Sequence, residues 1–213
     1  MNYQPNDKIV PVIVAMEDHV RLSKKDYCAL FGDKELTKAQ DLGQEGEWLA
    51  NECVFANMGG QNATLRVVMP CVTKTKVSVC SSTLARLNGR ADLVAPDGAP
   101  RSDRVVLESA IEPFGHVELR NAVLRPLRHV HIPLDIRNVY DLALGDTVIA
   151  EINGKRGVVL DQVVVVDSPN ALGKEIELHI DKDEAFAFGV FEDMAYAKLY
   201  IKQKEQADDS TKD

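Results

Sequence analysis

Long apolar runs are absent from these 213 residues. Nowhere do 18 apolar residues follow one another, and the opening Met1-Asn2-Tyr3-Gln4-Pro5-Asn6-Asp7 is polar, without a signal-peptide core. Neither a membrane helix nor a secretory leader is expected, which points to the cytoplasm. Cysteine is sparse as well. Cys28, Cys53, Cys71 and Cys80 include no C-x-x-C pair, so neither a disulfide scaffold nor a zinc ribbon is suggested and reduced thiols are the expectation. Positive charge is in deficit, with 25 Lys and Arg against 33 Asp and Glu, a formal net charge of -8 and a pI near 5.2. That balance argues against nucleic acid or anionic membrane as the main partner, while leaving room for a local basic pocket that takes a phosphate. A phosphate loop is missing too: Gly59-Gly60 reads as a hairpin turn, with no helix or Lys-Ser/Thr behind it. No Ser, His and acid stand at a recognisable catalytic spacing.

What is there is a globular composition, 45% hydrophobic and 27% charged, long enough for one large domain or two small ones. Its most informative stretch is Leu127-Arg128-His129-Val130-His131-Ile132. In a strand, residues i and i+2 share a face, so His129 and His131 stand side by side about 6.6 Å apart along the backbone, with Val130 and Ile132 facing the other way. Two imidazoles so placed can converge on one cation; they can equally be hydrogen-bonded histidines on a partly exposed strand.

Most other segments alternate with period two. Lys8 to Val14 reads as a strand with Pro11 at an edge or bulge, followed by a strand from Asp18 and a short helix between the N-cap Ser23 and the stop Gly32. Two glycines before Trp48 mark a turn; strands are expected from Cys53 and from Ala63 to Met69, joined at Asn57 to Asn62. Ala91 to Arg104, rich in Pro, Gly and Asp, reads as an exposed connection. A second helix is expected over Leu134 to Leu144, then a hairpin turning at Asn153-Gly154-Lys155 and a strand at Val163 to Val166. Glu175 to Asp181 alternates cleanly, with Glu175, Glu177, His179 and Asp181 on one face. A helical turn at Asp183 to Phe188, a last strand at Ala195 to Ile201 and a mobile charged tail over 204–213 complete the reading. His116 reads as a surface turn residue and Trp48 as core.

The chain repeats itself. Asp18-His19-Val20-Arg21-Leu22 matches Arg128-His129-Val130-His131-Ile132 in pattern, and each copy runs into a short helix that stops at a Gly-Asp pair, Gly32-Asp33 and Gly145-Asp146. Two related, mainly β halves are expected, with a shared cleft where the histidine strands meet.

These residues resemble the PduL-type phosphate propanoyltransferases, zinc-dependent phosphotransacylases. The resemblance runs from about Ile9 to Gly189. It rests on Val10-Pro11-Val12, Asp41-Leu42-Gly43-Gln44-Glu45-Gly46 with Ala50 and Glu52, Thr75-Lys76-Val77, Arg128-His129-Val130-His131, and Leu178-His179-Ile180-Asp181 with Asp183-Glu184-Ala185 behind it. It implies a mainly β fold of two β-barrel domains with short helices, related by internal duplication: 8–17 plus 126–203, holding the His129, His131 and His179 site, and 18–125. It further implies a two-metal site between the barrels, zinc as cofactor, acyl-CoA and phosphate as substrates, and a homodimer. Relatives that enter bacterial microcompartments carry a targeting extension before the first barrel. Here only a few polar residues precede Ile9, and association with a microcompartment stays an open expectation.

All three histidines of one zinc site carry over, as His129, His131 and His179. The other site departs from the family pattern. Where the family has R-H-V-H-L-S, this chain keeps His19 and has Arg21 in place of the second histidine. Ser78 stands where the family has a glutamate ligand, and Val72 where it has a phosphate-binding arginine. A guanidinium cannot ligate zinc. Two repairs are open: His19 with Cys80 and Glu17 or Asp18 could hold a second metal, or Arg21, Lys74 and Lys76 could supply positive charge, although for the two lysines a solvated face is preferred. Two functions follow: a divergent phosphate acyltransferase in which His19 and Arg21 serve catalysis, or a non-catalytic zinc-binding relative acting as a coenzyme A or anion binder or an assembly partner.

Overall fold

In the computed structural model, residues 3–6, 9–42, 46–95, 98–168, 176–190 and 196–202 are described. They form a mainly β protein with four short helices. In chain order these are β1 (Tyr3–Asn6), β2 (Val12–Met16), β3 (His19–Ser23), α1 (Lys24–Phe31), β4 (Lys38–Asp41), β5 (Trp48–Met58), β6 (Gln61–Val72), β7 (Lys76–Ser78), α2 (Ser81–Arg86) and β8 (Leu93–Val94). There follow β9 (Val105–Ser109), β10 (His116–Leu119), β11 (Val123–Pro126), β12 (His129–Ile132), α3 (Leu134–Val139), β13 (Thr147–Ile152), β14 (Val158–Asp167), β15 (Glu177–Asp181), α4 (Lys182–Phe188) and β16 (Ala197–Lys202). No helix among the described residues is long and apolar enough to cross a membrane.

Local chemistry sets these boundaries. Ser23 caps α1 by accepting from the Asp26 N–H at 3.1 Å, and Gly32 ends it at φ 62°, a conformation that costs glycine little. Asp181 and Glu184 exchange bonds in a capping box at the start of α4. The β5–β6 hairpin turns at Gly59 and Gly60, both at positive φ, the geometry that fits the right-handed strand twist. The second helix is shorter than expected. It ends at Val139 because Tyr140 leaves the helical region and Asp141 lies at φ 52°, so Gly145 serves the following turn and not the helix. Strand β14 instead runs longer than expected, continuing through Gln162 at φ 57° to Asp167. Trp48 already lies in a strand and packs against a core. His116 is exposed, at the start of β10. Glu175, Gly43 to Glu45 and the tail at 204–213 lie outside the described residues.

Two curled half-barrel sheets result. One has seven strands in the order β1-β16-β13-β14-β12-β15-β2, and its β2 edge makes a bridge from Val12 to Tyr196, the residue before β16. The other has nine, β10-β9-β5-β6-β3-β7-β11-β8, with β4 on β5. Each encloses its own core, Val20, Leu22, Leu65, Val67 and Leu107 in the nine-stranded sheet and Val130, Ile132, Leu160, Leu178 and Ile180 in the seven-stranded one. Each such side chain contributes roughly 1.5–3 kcal/mol when fully buried, against about 0–1 kcal/mol for an exposed ion pair such as Arg104–Glu118. The apolar cores therefore hold the sheets.

The sheets share a local plan. Strand β3 lies between β6, parallel, and β7, antiparallel; β12 lies between β14, parallel, and β15, antiparallel. Both β7 and β15 run straight into a helix, α2 and α4. Each also pairs in parallel with the strand that precedes the other sheet's histidine strand: β7 with β11, and β15 with β2. The leading strands thus cross between the sheets.

Candidate metal centre

Antiparallel pairing of β12 with β15 sets His129 opposite His179 and His131 opposite Glu177. Since Val130, Ile132, Leu178 and Ile180 fill the core, period two turns all three imidazoles to the other face. The ring centroids lie 5.2, 4.9 and 4.7 Å apart, and one donor nitrogen from each ring lies within 4.8 Å of the others. A carbonyl only accepts, so the 2.8 Å contact of His129 Nδ1 with Leu127 O and the 2.7 Å contact of His131 Nδ1 with Asp167 O place the protons on Nδ1 and the lone pairs on Nε2. His179 donates from Nε2 to the Glu177 carboxylate at 2.9 Å. Burial, followed by repulsion from His179, pushes the His129 pKa down to about 3, and the same two causes lower that of His131. Both rings are neutral at pH 7, the state a metal needs.

These residues fit a zinc ion. A tetrahedral zinc with bonds of about 2.0–2.1 Å would need ligand nitrogens about 3.4 Å apart, against the 4.8 Å within which these three lie, and three histidines would leave one position open. Carbonyl and carboxylate partners behind the rings are the usual support of such ligands.

The other sheet carries the same register with other residues. His19 on β3 faces Ser78 on β7, and Arg21 faces Lys76. Where β12 and β15 present three histidines, β3 and β7 present His19, Arg21 and Ser78. Among the described residues His129, His131 and His179 form the single cluster of three or more metal-ligating groups, and His19 and Cys80 form no other. His19 donates from Nδ1 to the Glu17 carbonyl at 2.8 Å and is pushed below its ordinary pKa, first by burial. It lies close enough to His129 for their charges to interact. Cys80, 3% exposed, is the N-cap residue of α2, with its sulfur 3.3 Å from Ser82 Oγ and 3.4 Å from Thr83 Oγ1. Lys74 is exposed and Lys76 half-buried.

Arg21 is engaged by a residue that sequence reasoning missed. Its Nη1 and Nη2 donate to the two carboxylate oxygens of Glu47, each at 2.6 Å. The Glu47 charge reaches both His19 and His131, so this ion pair stands beside the triad as well as beside His19. Its one sequence signal is its place, next after Gly46 at the end of a glycine-marked turn.

A second ion pair ties the sheets together next to the site. Asp18 accepts from the Cys80 N–H at 2.7 Å and Thr83 Oγ1 at 2.6 Å, and it pairs with Lys182 at the start of α4. Asp183 accepts from the backbone N–H of Ser82 at 2.7 Å and from its hydroxyl at 2.6 Å. Burial alone would raise the Asp18 pKa, but the bonds from Lys182, Thr83 and Cys80 together hold it below the ordinary value. Asp18 precedes His19, and Lys182 follows His179 by three, so this clamp joins the two histidine-bearing segments.

A family model for phosphate propanoyltransferase matches residues 12–191. The phosphate propanoyltransferase of Citrobacter freundii is 32% identical over 184 residues, 85% of this chain and 84% of the relative. That of Shewanella putrefaciens is 29% identical over 204 residues, 94% and 93% of the two chains, and that of Salmonella typhimurium 31% over 184 residues, 85% and 84%. With a family match over most of its length, the strand-borne histidines inside that match and full-length relatives of one kind, this chain belongs to the phosphate propanoyltransferase family of phosphotransacylase enzymes.

Proposed function

We propose that this protein transfers an acyl group between coenzyme A and phosphate, through one zinc at His129, His131 and His179 and an altered second half-site at His19, Arg21 and Ser78. The observation that carries the reading is the convergence of three imidazoles within 4.8 Å on a chain whose relatives bear the name phosphate propanoyltransferase. In the direction from acyl phosphate, the thiol sulfur of coenzyme A attacks the acyl carbon, the carbon–oxygen bond to phosphate breaks, and the thiol proton leaves to a base. Zinc, when bound, supplies a Lewis acid for the acyl or phosphoryl oxygen. Arg21 contributes positive charge for phosphate, and His19, its Nδ1 held by Glu17, offers a neutral Nε2 for the proton. The shared plan of the two sheets supports two barrels, 8–17 plus 126–203 and 18–125, related by duplication. A homodimer and recruitment to a microcompartment belong to the same reading.

The test is consumption of free coenzyme A thiol with short-chain acyl phosphates by the zinc-loaded protein. Loss of a single donor to a developing charge costs about 10² to 10³ in rate. Turnover slower by at least that factor than in relatives with both metals is expected, and none above buffer would overturn the enzyme. The register match that puts Ser78 opposite His19 favours a second reading, a non-catalytic binder that keeps the zinc triad. About one zinc per chain accords with both readings of the altered half-site; about two would show it rebuilt for metal.

A further inference from the structure

We infer that Glu47 is the resident counter-anion of Arg21, occupying the place a phosphate takes and so setting the protein's affinity for phosphate. This rests on the part of the proposed function in which phosphate binds at the altered half-site.

The fork of a guanidinium accepts a carboxylate or a phosphate through the same pair of parallel bonds. In this structure both outer nitrogens of Arg21 point at Glu47, each at 2.6 Å, with the side chains 28% and 23% exposed. A pair so placed is less screened than one on the surface. The Glu47 charge also acts on His19 and on His131, so an anion at Arg21 lies between the triad and the altered half-site. A phosphate arriving there meets a guanidinium already neutralised and a carboxylate that repels it. Glu47 must swing away or share the fork, and either event weakens binding. Its place makes that movement local: it sits between Gly46, at φ 75°, and Trp48, the first residue of β5.

A purely structural role makes a different forecast. On the strand order β5-β6-β3, the pair also pins the start of β5 to β3 two strands away. As a pin alone, Glu47 would affect the melting temperature and leave phosphate binding unchanged.

The experiment is a calorimetric titration of inorganic phosphate into the full zinc-loaded chain and into Glu47→Gln, Glu47→Asp, Arg21→Met and the Arg21→Met/Glu47→Gln double variant. The same proteins are assayed for the KM of phosphate. Glu47→Gln should bind phosphate about tenfold more tightly, the order expected when a charge-assisted hydrogen bond is no longer contested. Glu47→Asp, which keeps the charge but not the fork geometry, should fall between, and it serves alone if Glu47→Gln does not fold. Arg21→Met should bind weakly, and adding Glu47→Gln to it should restore nothing. Unchanged or weaker binding in the Glu47 variants, tightening that persists without Arg21, or no phosphate binding by any of the five proteins overturns the inference. Because binding is read without turnover, an inactive wild type with Arg21-dependent tightening in Glu47→Gln would sink the enzyme reading and leave this one standing. Turnover with a KM indifferent to Glu47 would do the reverse.

Discussion

At the scale of single residues, His131 is the sharpest probe of the site. It is half-buried, holds its ring by one carbonyl bond and supplies one of three donors. In His131→Ala, zinc retained after dialysis should fall from about one per chain toward zero, whereas His19→Ala should keep it, since His19 belongs to no three-ligand cluster among the described residues. Elemental analysis reads both; full retention by His131→Ala would remove the triad as the metal centre. Strand geometry made legible that His129 and His131 share one face and that His179 lies on a polar one; that the three belong together came from the family resemblance. Glu47 was not legible. It meets Arg21 across 26 positions of sequence, and no periodicity links a residue after a turn to a strand two places away.

Among the elements, the clamp of Asp18 and Lys182 joins the turn before β3 and the starts of α2 and α4. Asp18 is 8% exposed and holds three partners, so Asp18→Ala strands a lysine and two further donors. A loss of about 3 kcal/mol is expected, at the low end for a broken buried pair because the Lys182 side chain is 29% exposed. For a chain of this size that is roughly 6–12 °C in melting temperature. Lys182→Met should cost less, because Asp18 keeps its bonds from Cys80 and Thr83. A thermal scan with either variant within a degree of wild type would show that the clamp carries no strain between the sheets. Capping chemistry made α1 readable through Ser23 and Gly32; α4 was read only as a helical turn, without its capping box of Asp181 and Glu184. The same chemistry misled at α3, where Asp141 takes a left-handed conformation that composition does not announce.

For the molecule as a whole, acid is the expected weakness. Asp18 and Asp183 both titrate below the ordinary value of 3.8, and for both burial is outweighed, by the bonds from Lys182, Thr83 and Cys80 at Asp18 and from Ser82 at Asp183. A carboxylate with a lowered folded pKa contributes stability that is present above its unfolded value and lost as the pH falls through the folded one. Lys182 is raised above 10.5 against the opposing effect of burial, chiefly by Asp18, so its share is present below that value and lost as the pH rises past it. The urea midpoint should therefore hold steady from about pH 7 to 9, fall below about pH 6 because the unfolded chain protonates His129, His131 and His19 before the folded one does, and fall further below about pH 4, where the drop should shrink in Asp18→Asn/Asp183→Asn. A drop below about pH 4 of equal size in that double variant would assign it to the histidines and other carboxylates. At this scale the β class was readable, because most segments alternate with period two. The crossing of β2 and β11 entered only through the family resemblance, in the bounds 8–17 plus 126–203 and 18–125, because ladder partners so distant leave no local trace.

That crossing also orders events in time. Strand β2 spans residues 12–16, yet its ladder is with residues 177–181. A chain emerging from the ribosome must leave β2 without its ladder while 19–126, with most of the nine-stranded sheet, are already in hand. The arrival of β15 completes both that ladder and the third histidine, so in biosynthesis the histidine cluster and the closing of this long loop are one step.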